Sequence, residues 1–457
     1  MDDDPAAARA PVNIVCVVDT SGSMKYERKL KLVCETLKFI VGQMKATDTL
    51  GIVSFSDKVR ANLDLTRMDK TGANAALCAI ESMRPGGRTN LSGGLLEGLS
   101  LLRKFRGVGS ESTGSGSSGT GWWPFGNDSA KGVQTRANET GVGQTSVDAV
   151  LLLTDGRANG GIRDTAGIVR AMKNMLDSLP SVCTVNTFGY GIDHDAAMLE
   201  AIAEAGHGSY NFVETADKVA DAFGSAVGGL MSVTAQQIKL TVAPPHNMGI
   251  EIANVETTYE KKHLGNGMWE ISMGDLYSEE ERDVLVIFNK VPSVEMETAE
   301  YPLLAAQVEY VDVIAGIPRS ADAACMVRRT ADVPADRQCS QRVETQVHRM
   351  ETALLLRTAG EAAMSGRERA ARKMIRDQIT KLKRAPRSSF SPVVSRLVSE
   401  LEAMDLEFKS SSTGSMLLAA GTSHARQRSS TGSTRMADGG AYLTQRTRTM
   451  KIHCSPK

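Results

Sequence analysis

Along the first half of the chain, short runs of uninterrupted apolar residues alternate with stretches whose apolar positions recur at helical spacing. The runs Asn13–Val18, Leu50–Phe55, Val147–Leu153 and Val182–Phe188, with a shorter one at Ser209–Val213, read as strands. Strands that are apolar on both sides belong in a parallel sheet covered by helices on each face. Between them, ERKLKLVCETLKFIVGQM puts Leu30, Val33, Leu37, Ile40, Val41 and Met44 on one helical face. The segments Thr71–Met83, DTAGIVRAMKNML and DAAMLEAIAEAG predict further helices, the last closed by Gly206 as a C-cap. Only Asp57 and Lys58 separate Leu50–Ser56 from Val59–Leu65. That pair predicts a hairpin whose second strand runs antiparallel at the sheet edge.

After Met231 the period changes to two. IKLTVAP, GIEIANVETTY, MWEISMG, RDVLVIFNKV and AAQVEYVDVIAG alternate apolar and polar residues between turn signals, which suits a small antiparallel sandwich. From about Ser340 helices take over, and Ser365 to Glu368 has the spacing of a capping box opening the next one. The expected order is an N-terminus without structure (1–11), a Rossmann-like α/β domain (12–231), a β-sandwich (232–325), a helical segment (340–408) and a basic disordered tail (409–457). Within the first domain a Gly/Ser-rich insert, about 106–146, predicts a flexible loop; it contains GWWPFG, Gly121–Gly126.

Lys plus Arg and Asp plus Glu number 53 each, so the balance of charge points to neither a nucleic-acid binder nor a reader of acidic surfaces. Seven cysteines stand at 16, 34, 78, 183, 325, 339 and 454 without a CxxC pair, which reads as reduced thiols in a cytoplasmic protein. The acidic start MDDDPAAARAP lacks the apolar core of a signal peptide. No apolar run approaches the ~20 residues of a membrane span. Cys325, Cys339 and His348 lack zinc-knuckle spacing, and the basic helix RERAARKMIRDQITKLKR carries Met374, Ile375, Ile379 and Leu382 at packing intervals, predicting a packed helix with a solvated basic face.

The chemistry concentrates where strands end. VNIVCVVD runs into Asp19, followed by Ser21 and Ser23, and LLLTDG ends at Asp155. Ligands of open parallel sheets bind outside the carboxyl ends of the strands, where strand order reverses. A third turn, PGGRTNLSGGL, brings Thr89 to the same edge by connectivity. The following helix descends, so the insert is expected on the far side. Asp19, Ser21, Ser23, Thr89 and Asp155 form an all-oxygen set with only two carboxylates, which suits Mg²⁺, with Mn²⁺ or Ca²⁺ as substitutes, and leaves room for an incoming carboxylate. Rival chemistries lack their residues. Position 21 is Ser where a dehalogenase-type phosphatase needs a second Asp, and there is no GxxxxGK[ST] or GxSxG. The plain alternative is that Ser21, Gly22 and Ser23 only form a turn and cap a helix.

DTSGSM, the Thr of GGRTNLSGGL and LLLTDG together resemble the von Willebrand factor type A domain and its metal-ion-dependent adhesion site, over roughly Val12 to Met231. The resemblance implies a non-enzymatic protein-binding domain in which Asp19, Ser21, Ser23, Thr89 and Asp155 hold Mg²⁺ and a partner's Asp or Glu caps the metal. Beyond Met231 the chain resembles intracellular plant and protist type A proteins carrying a segment like GDLYSEEERDVLV, here Gly274–Val286. Some of those relatives have a RING finger, whose paired Cys/His ligands are missing here. The resemblance therefore implies an adaptor, with two alternatives: an accessory of a ubiquitin-ligase system, or a regulatory subunit of an AAA ATPase assembly machine.

Overall fold

The computed structural model describes residues 9–107, 146–291, 300–328, 340–384 and 391–410, apart from 192, 214, 215, 247, 258 and 279. The expectations for the N-terminus, the WWPFG-bearing insert and the basic tail lie outside these residues. An α/β domain comes first, followed by antiparallel sheets and C-terminal helices.

The first sheet has six strands: β1 (Val12–Asp19), β2 (Thr49–Phe55), β3 (Val59–Arg67), β4 (Val147–Thr154), β5 (Cys183–Tyr190) and β6 (His207–Val213). Their order is β3-β2-β1-β4-β5-β6, and all pairings are parallel except that of β2 with the edge strand β3. Strand order therefore reverses between β1 and β4. Alternate residues of β1 feed opposite faces. Ile14, Cys16 and Val18 pack with helices α1 (Lys29–Gln43), α2 (Lys70–Ser82) and α6 (Ala216–Leu230). Val15 and Val17 pack with α3 (Leu91–Phe105), α4 (Thr165–Asp177) and α5 (Ala196–Ala205). Every residue of β1, β2, β4 and β5 is buried, as the uninterrupted apolar runs require.

Helix α3 carries the Thr89 loop, and its glycines let it lie close on the sheet. A Cβ at Gly94 would stand 2.5 Å from the Phe55 ring, and one at Gly98 would stand 2.5 Å from a Val17 methyl. At the opposite, amino-terminal edge, Arg106 donates to both carboxylate oxygens of Asp148 at the start of β4. The residues that flank the insert thus sit at the end of the sheet away from the carboxyl ends of its strands, as expected for its attachment.

Gly206 closes α5 as its spacing indicates, with φ −96°; a Cβ there would stand 2.5 Å from Val185 Cβ, so its small size is what the position uses. One local expectation is corrected. Ser365 does not cap the next helix. It ends the preceding one, donating its hydroxyl to the Glu361 carbonyl at 2.7 Å, while Gly366 and Arg367 N–H groups return to the Ala363 and Ala362 carbonyls. Gly366 at φ 76° completes that left-handed stop.

A five-stranded antiparallel sheet, ordered β13-β12-β7-β10-β9, comprises β7 (Val233–Ala243), β9 (Glu260–Gly265), β10 (Met268–Tyr277), β12 (Glu300–Asp312) and β13 (Ile317–Arg328). A two-stranded sheet pairs β8 (Glu251–Glu256) with β11 (Leu285–Lys290), and the two share a small core around Val242, Val255 and Ile271. Leu230, Met231, Val233 and Val313 belong to the core under α1 and α6, so the second sheet grows directly from the first domain. The segment Gly274–Val286 has a structural part here. Arg282 donates to the carbonyls of Met273 and Asp275, pairs with Glu280 at 3.2 Å and lies over the Tyr259 ring, pinning the irregular end of β10.

Helices α7 (Gln341–Met364), α8 (Glu368–Arg384) and α9 (Pro392–Ser410) pack around Ala359, Ile375, Leu382 and Leu401. The basic helix α8 is packed with a solvent-facing basic side, as its spacing indicates, and four of its basic side chains also pair with acids of the neighbouring helices. Arg372 and Arg376 meet Asp405 at 2.7 and 2.9 Å, Lys381 meets Glu351 at 2.8 Å and Lys383 meets Glu402 at 2.6 Å.

Asp275 supplies a test of the second sheet. Burial pushes its carboxyl up to about 6, against the hydrogen bond from Gln236 and the charge of Arg282. Its Oδ2 has no hydrogen-bond partner among the described residues. The folded value stands above the ordinary 3.8, so between about pH 4 and 6 the folded protein holds a proton that the unfolded chain has lost. Stability from this group falls as pH rises through that window. Asp275→Asn is expected to remove that share of the decline, read as a difference between the melting-temperature profiles of wild type and variant over pH 4–7; parallel profiles would contradict it.

Candidate metal centre

The five residues singled out from the sequence lie at the carboxyl ends of β1 and β4, where strand order reverses. Asp19 is the last residue of β1, and Asp155 directly follows β4; β1 and β4 pair in parallel up to Val18 and Leu153. A 3₁₀ turn over Gly22–Arg28 precedes α1, which begins at Lys29 rather than at Glu27 as the apolar spacing indicated. Arg28 takes φ 56° at the break.

Three loops are tied together through their backbones. The Gly86 N–H donates to the Thr20 carbonyl at 2.7 Å, and the Gly22 N–H donates to the Gly87 carbonyl at 3.1 Å. The Asn159 and Gly160 N–H groups both donate to the Thr89 carbonyl at 3.1 Å, while the Thr89 N–H donates to the Asn159 side chain at 2.7 Å. Thr89 is thereby fixed between the loop after β1 and the loop after β4.

The side chains converge on that seam. Ser23 donates to Asp155 Oδ1 at 2.7 Å, and the hydroxyls of Ser21 and Ser23 stand 3.0 Å apart. Asp19 Oδ1 accepts from the Ser21 N–H at 2.7 Å, and its Oδ2 accepts from the Thr154 hydroxyl. Thr89 joins through Gly156: a Cβ at Gly156 would stand 3.3 Å from Thr89 Oγ1 and 3.7 Å from Ser23 Oγ. Asp19, Ser21, Thr89 and Asp155 are buried, and Ser23 is half-buried. All five predicted residues therefore come together.

Electrostatics makes this cluster costly. Burial raises the Asp19 carboxyl to about 6, against hydrogen bonds from Thr154 and Ser21, and the neighbouring Asp155 adds to the rise. Lys29 offsets part of that charge, its ammonium donating to Asp155 Oδ2 at 3.0 Å with a side chain only 11% exposed. Sequence reading missed Lys29, Thr154 and Asn159. The signal for Lys29 was present: it precedes Val33, Leu37 and Ile40 by four, eight and eleven positions, which puts it on the buried face of α1. For Asn159, a polar loop residue whose partner is a backbone seventy positions away, nothing in the sequence distinguishes it.

The donor set is two carboxylates and three hydroxyls, all hard oxygens. Among the described residues no group of three or more His, Cys, Asp or Glu side chains is arranged to hold a metal ion. Ligands of this kind fit a small divalent cation better than zinc, which favours sulfur and nitrogen. Cys325 stands exposed on β13 and His348 is buried on α7; Cys339 lies outside the described residues.

Comparison with known proteins agrees with the fold of the first domain. Residues 14–112 match one sequence profile of the von Willebrand factor type A domain, and residues 124–212 match a second. The chain is 25% identical over 232 residues to the uncharacterized protein YfbK of Escherichia coli (strain K12), covering 50% of this chain and 33% of that protein. It is 24% identical over 312 residues to the E3 ubiquitin-protein ligase WAV3 of Arabidopsis thaliana, covering 68% of this chain and 34% of that protein. The chain thus spans about a third of the length of these relatives. In three dimensions it is similar to a von Willebrand factor type A protein from Catenulispora acidiphila, with a TM-score of 0.62 at 15% identity over 91% of this chain and 90% of that one. The ArnB paralog VWA2 of Sulfolobus acidocaldarius gives a TM-score of 0.52 at 16% identity over 92% and 91%. At such identities the likeness is one of fold, and it extends through the antiparallel sheets and C-terminal helices. The chain carries a von Willebrand factor type A domain.

Thr154→Val is expected to lower stability at pH 8 by ~1–3 kcal/mol, because it strips a donor from the buried Asp19 carboxylate. Urea unfolding without added metal measures this, and an unchanged midpoint would contradict the assignment of that hydrogen bond.

Proposed function

We propose that this protein is a metal-dependent protein-binding adaptor. Asp19, Ser21, Ser23, Thr89 and Asp155 hold Mg²⁺, or Mn²⁺ or Ca²⁺ in its place, and a partner's Asp or Glu completes the coordination. The observation that carries this reading is the convergence of three hydroxyls and two buried carboxylates from three separate loops on one point. A turn-and-cap role for Ser21 and Ser23 does not account for it: Ser21 makes no side-chain cap bond to the 3₁₀ turn, and Ser23 is spent on Asp155. When bound, the cation would supply a positive, incompletely filled centre at the surface. The chain's own groups position it: the Ser21 N–H and Thr154 hydroxyl orient Asp19, and the seam through Thr89 and Asn159 holds the loops in register.

The surroundings support docking of a protein. Tyr26, 71% exposed, follows the hydroxyl cluster on one loop, and Ile162, 37% exposed, stands on the loop after Asp155. An aromatic anchor beside a charged contact is a common composition for an interface. The match to the von Willebrand factor type A domain favours binding over catalysis. Among the described residues no helix is long and apolar enough to cross a membrane. The unpaired thiols of Cys16 and Cys183, buried in the core, suit a reducing compartment and support a cytoplasmic location.

A second reading, recruitment of substrates to a ubiquitin ligase, is favoured by the match to the Arabidopsis ligase over 68% of this chain. It keeps the same metal-dependent capture and assigns the chemistry to another polypeptide. The third, a regulatory subunit of an AAA ATPase machine, rests on the fold alone.

Calorimetric titration with Mn²⁺ is expected to show one site in the wild-type chain and none in Asp19→Ala, with both proteins folded by circular dichroism. Equal binding by the two would remove the proposed site. In affinity capture, the proteins retained by the wild-type chain in Mg²⁺ are expected to be lost both in chelator and with Asp19→Ala, and reduced with Tyr26→Ala, which keeps its Mn²⁺ binding. Capture indifferent to chelator would reject the mechanism.

A further inference from the structure

Lys29 is the feature of the site that neither the oxygen set nor the fold explains. It opens α1 on the buried side, and its ammonium reaches Asp155 Oδ2 at 3.0 Å, while Asp155 Oδ1 takes the Ser23 hydroxyl at 2.7 Å. One oxygen of that carboxylate therefore faces the hydroxyl cluster and the other faces a buried cation. Behind the ammonium lies Gly191, at φ 67°, where a Cβ would stand 3.1 Å from Lys29 Nζ. That turn is itself fixed, since its carbonyl accepts from His194 Nδ1 at 2.7 Å, and His194 Nε2 pairs with the Tyr210 hydroxyl at 2.6 Å. The lysine thus stands between the Asp155 carboxylate and the Gly191 turn, with only 11% of its side chain exposed.

We infer that Lys29 is a built-in counter-charge of the metal site, holding Asp155 in the metal-free protein and remaining in place beside a bound cation. This rests on the proposed metal reading. With Asp19 and Asp155 contributing two negative charges and Lys29 one positive, the pocket carries a single net negative charge before a dication enters. Removing one charge from so close a site has a large effect: a unit charge at this range moves a proton equilibrium by about 1–3 pKa units, or roughly 10–1000-fold, and a dication feels the charge more strongly. The consequence is functional. A cation held by one net negative charge binds loosely by itself and keeps a surplus of positive charge, which a partner carboxylate then neutralises. Metal and acidic partner bind as a coupled pair, and the metal-free chain is a stable resting state.

The test is Mn²⁺ affinity and thermal stability of the full chain for wild type, Lys29→Met and Lys29→Arg. Lys29→Met is expected to bind Mn²⁺ at least about tenfold more tightly than wild type. In chelator it is expected to melt at a lower temperature, because the buried Asp155 has lost its partner. Lys29→Arg, which keeps the charge, is expected to stay near the wild-type affinity. If Lys29→Met does not fold in chelator, Lys29→Gln retains a donor to Asp155 without the charge and is expected to show the same tightening. Wild-type binding of Mn²⁺ with equal or weaker binding by the neutral variants would overturn the counter-charge role while leaving the metal site intact. Failure of the wild-type chain itself to bind Mn²⁺ would remove the site, and this inference with it.

Discussion

Two carboxylates buried at the tips of neighbouring strands are the constraint around which the first domain is arranged. Asp19 and Asp155 sit where β1 and β4 part, and burial, with the neighbouring Asp155 charge, raises the Asp19 carboxyl to about 6 against its hydrogen bonds. Isolated buried charge is destabilising, and the fold offsets it with directed donors: the Ser21 N–H, the Thr154 and Ser23 hydroxyls and the Lys29 ammonium. These donors come from loops that would otherwise be free to separate, so backbone hydrogen bonds between Thr20 and Gly86, Gly22 and Gly87, and Thr89 and Asn159 lock them in register. Close packing of α3 through Gly94 and Gly98 brings the Thr89 loop down to the same level.

Much of this was legible in the sequence because the physics was local or periodic. Uninterrupted apolar runs predicted β1, β2, β4 and β5, the two-residue break at Asp57 and Lys58 predicted the antiparallel edge, and connectivity alone brought Thr89 to the aspartates. What escaped was non-local. Strand β9, EKKHLG, is almost wholly exposed and charged, and β13 is an exposed edge strand rich in alanine, so neither shows the alternation that marked its neighbours. Lys29 was hidden in a helix whose apolar face was read correctly while the one charged residue on that face was passed over. Ser365 has the spacing of a capping box but serves as a helix stop, while Gly206 caps α5 as its spacing indicates and also allows a close approach to Val185.

The second half extends the type A domain rather than merely following it. Val233 and Val313 enter the core beneath α1 and α6, and Arg282 ties the irregular end of β10 to Glu280 and Tyr259. The three C-terminal helices exchange charge among themselves, with the basic face of α8 matched by Glu351, Glu402 and Asp405. The proposed function turns on the seam at the strand ends, where the adjoining loops carry the exposed Tyr26 and Ile162.

Crystals of the full chain grown with Mn²⁺, with anomalous diffraction collected at a wavelength where manganese scatters strongly, test the central claim most directly. The account predicts a single peak among Asp19, Ser21, Ser23, Thr89 and Asp155. A well-ordered seam with no peak there, or manganese bound only elsewhere on the chain, would contradict it.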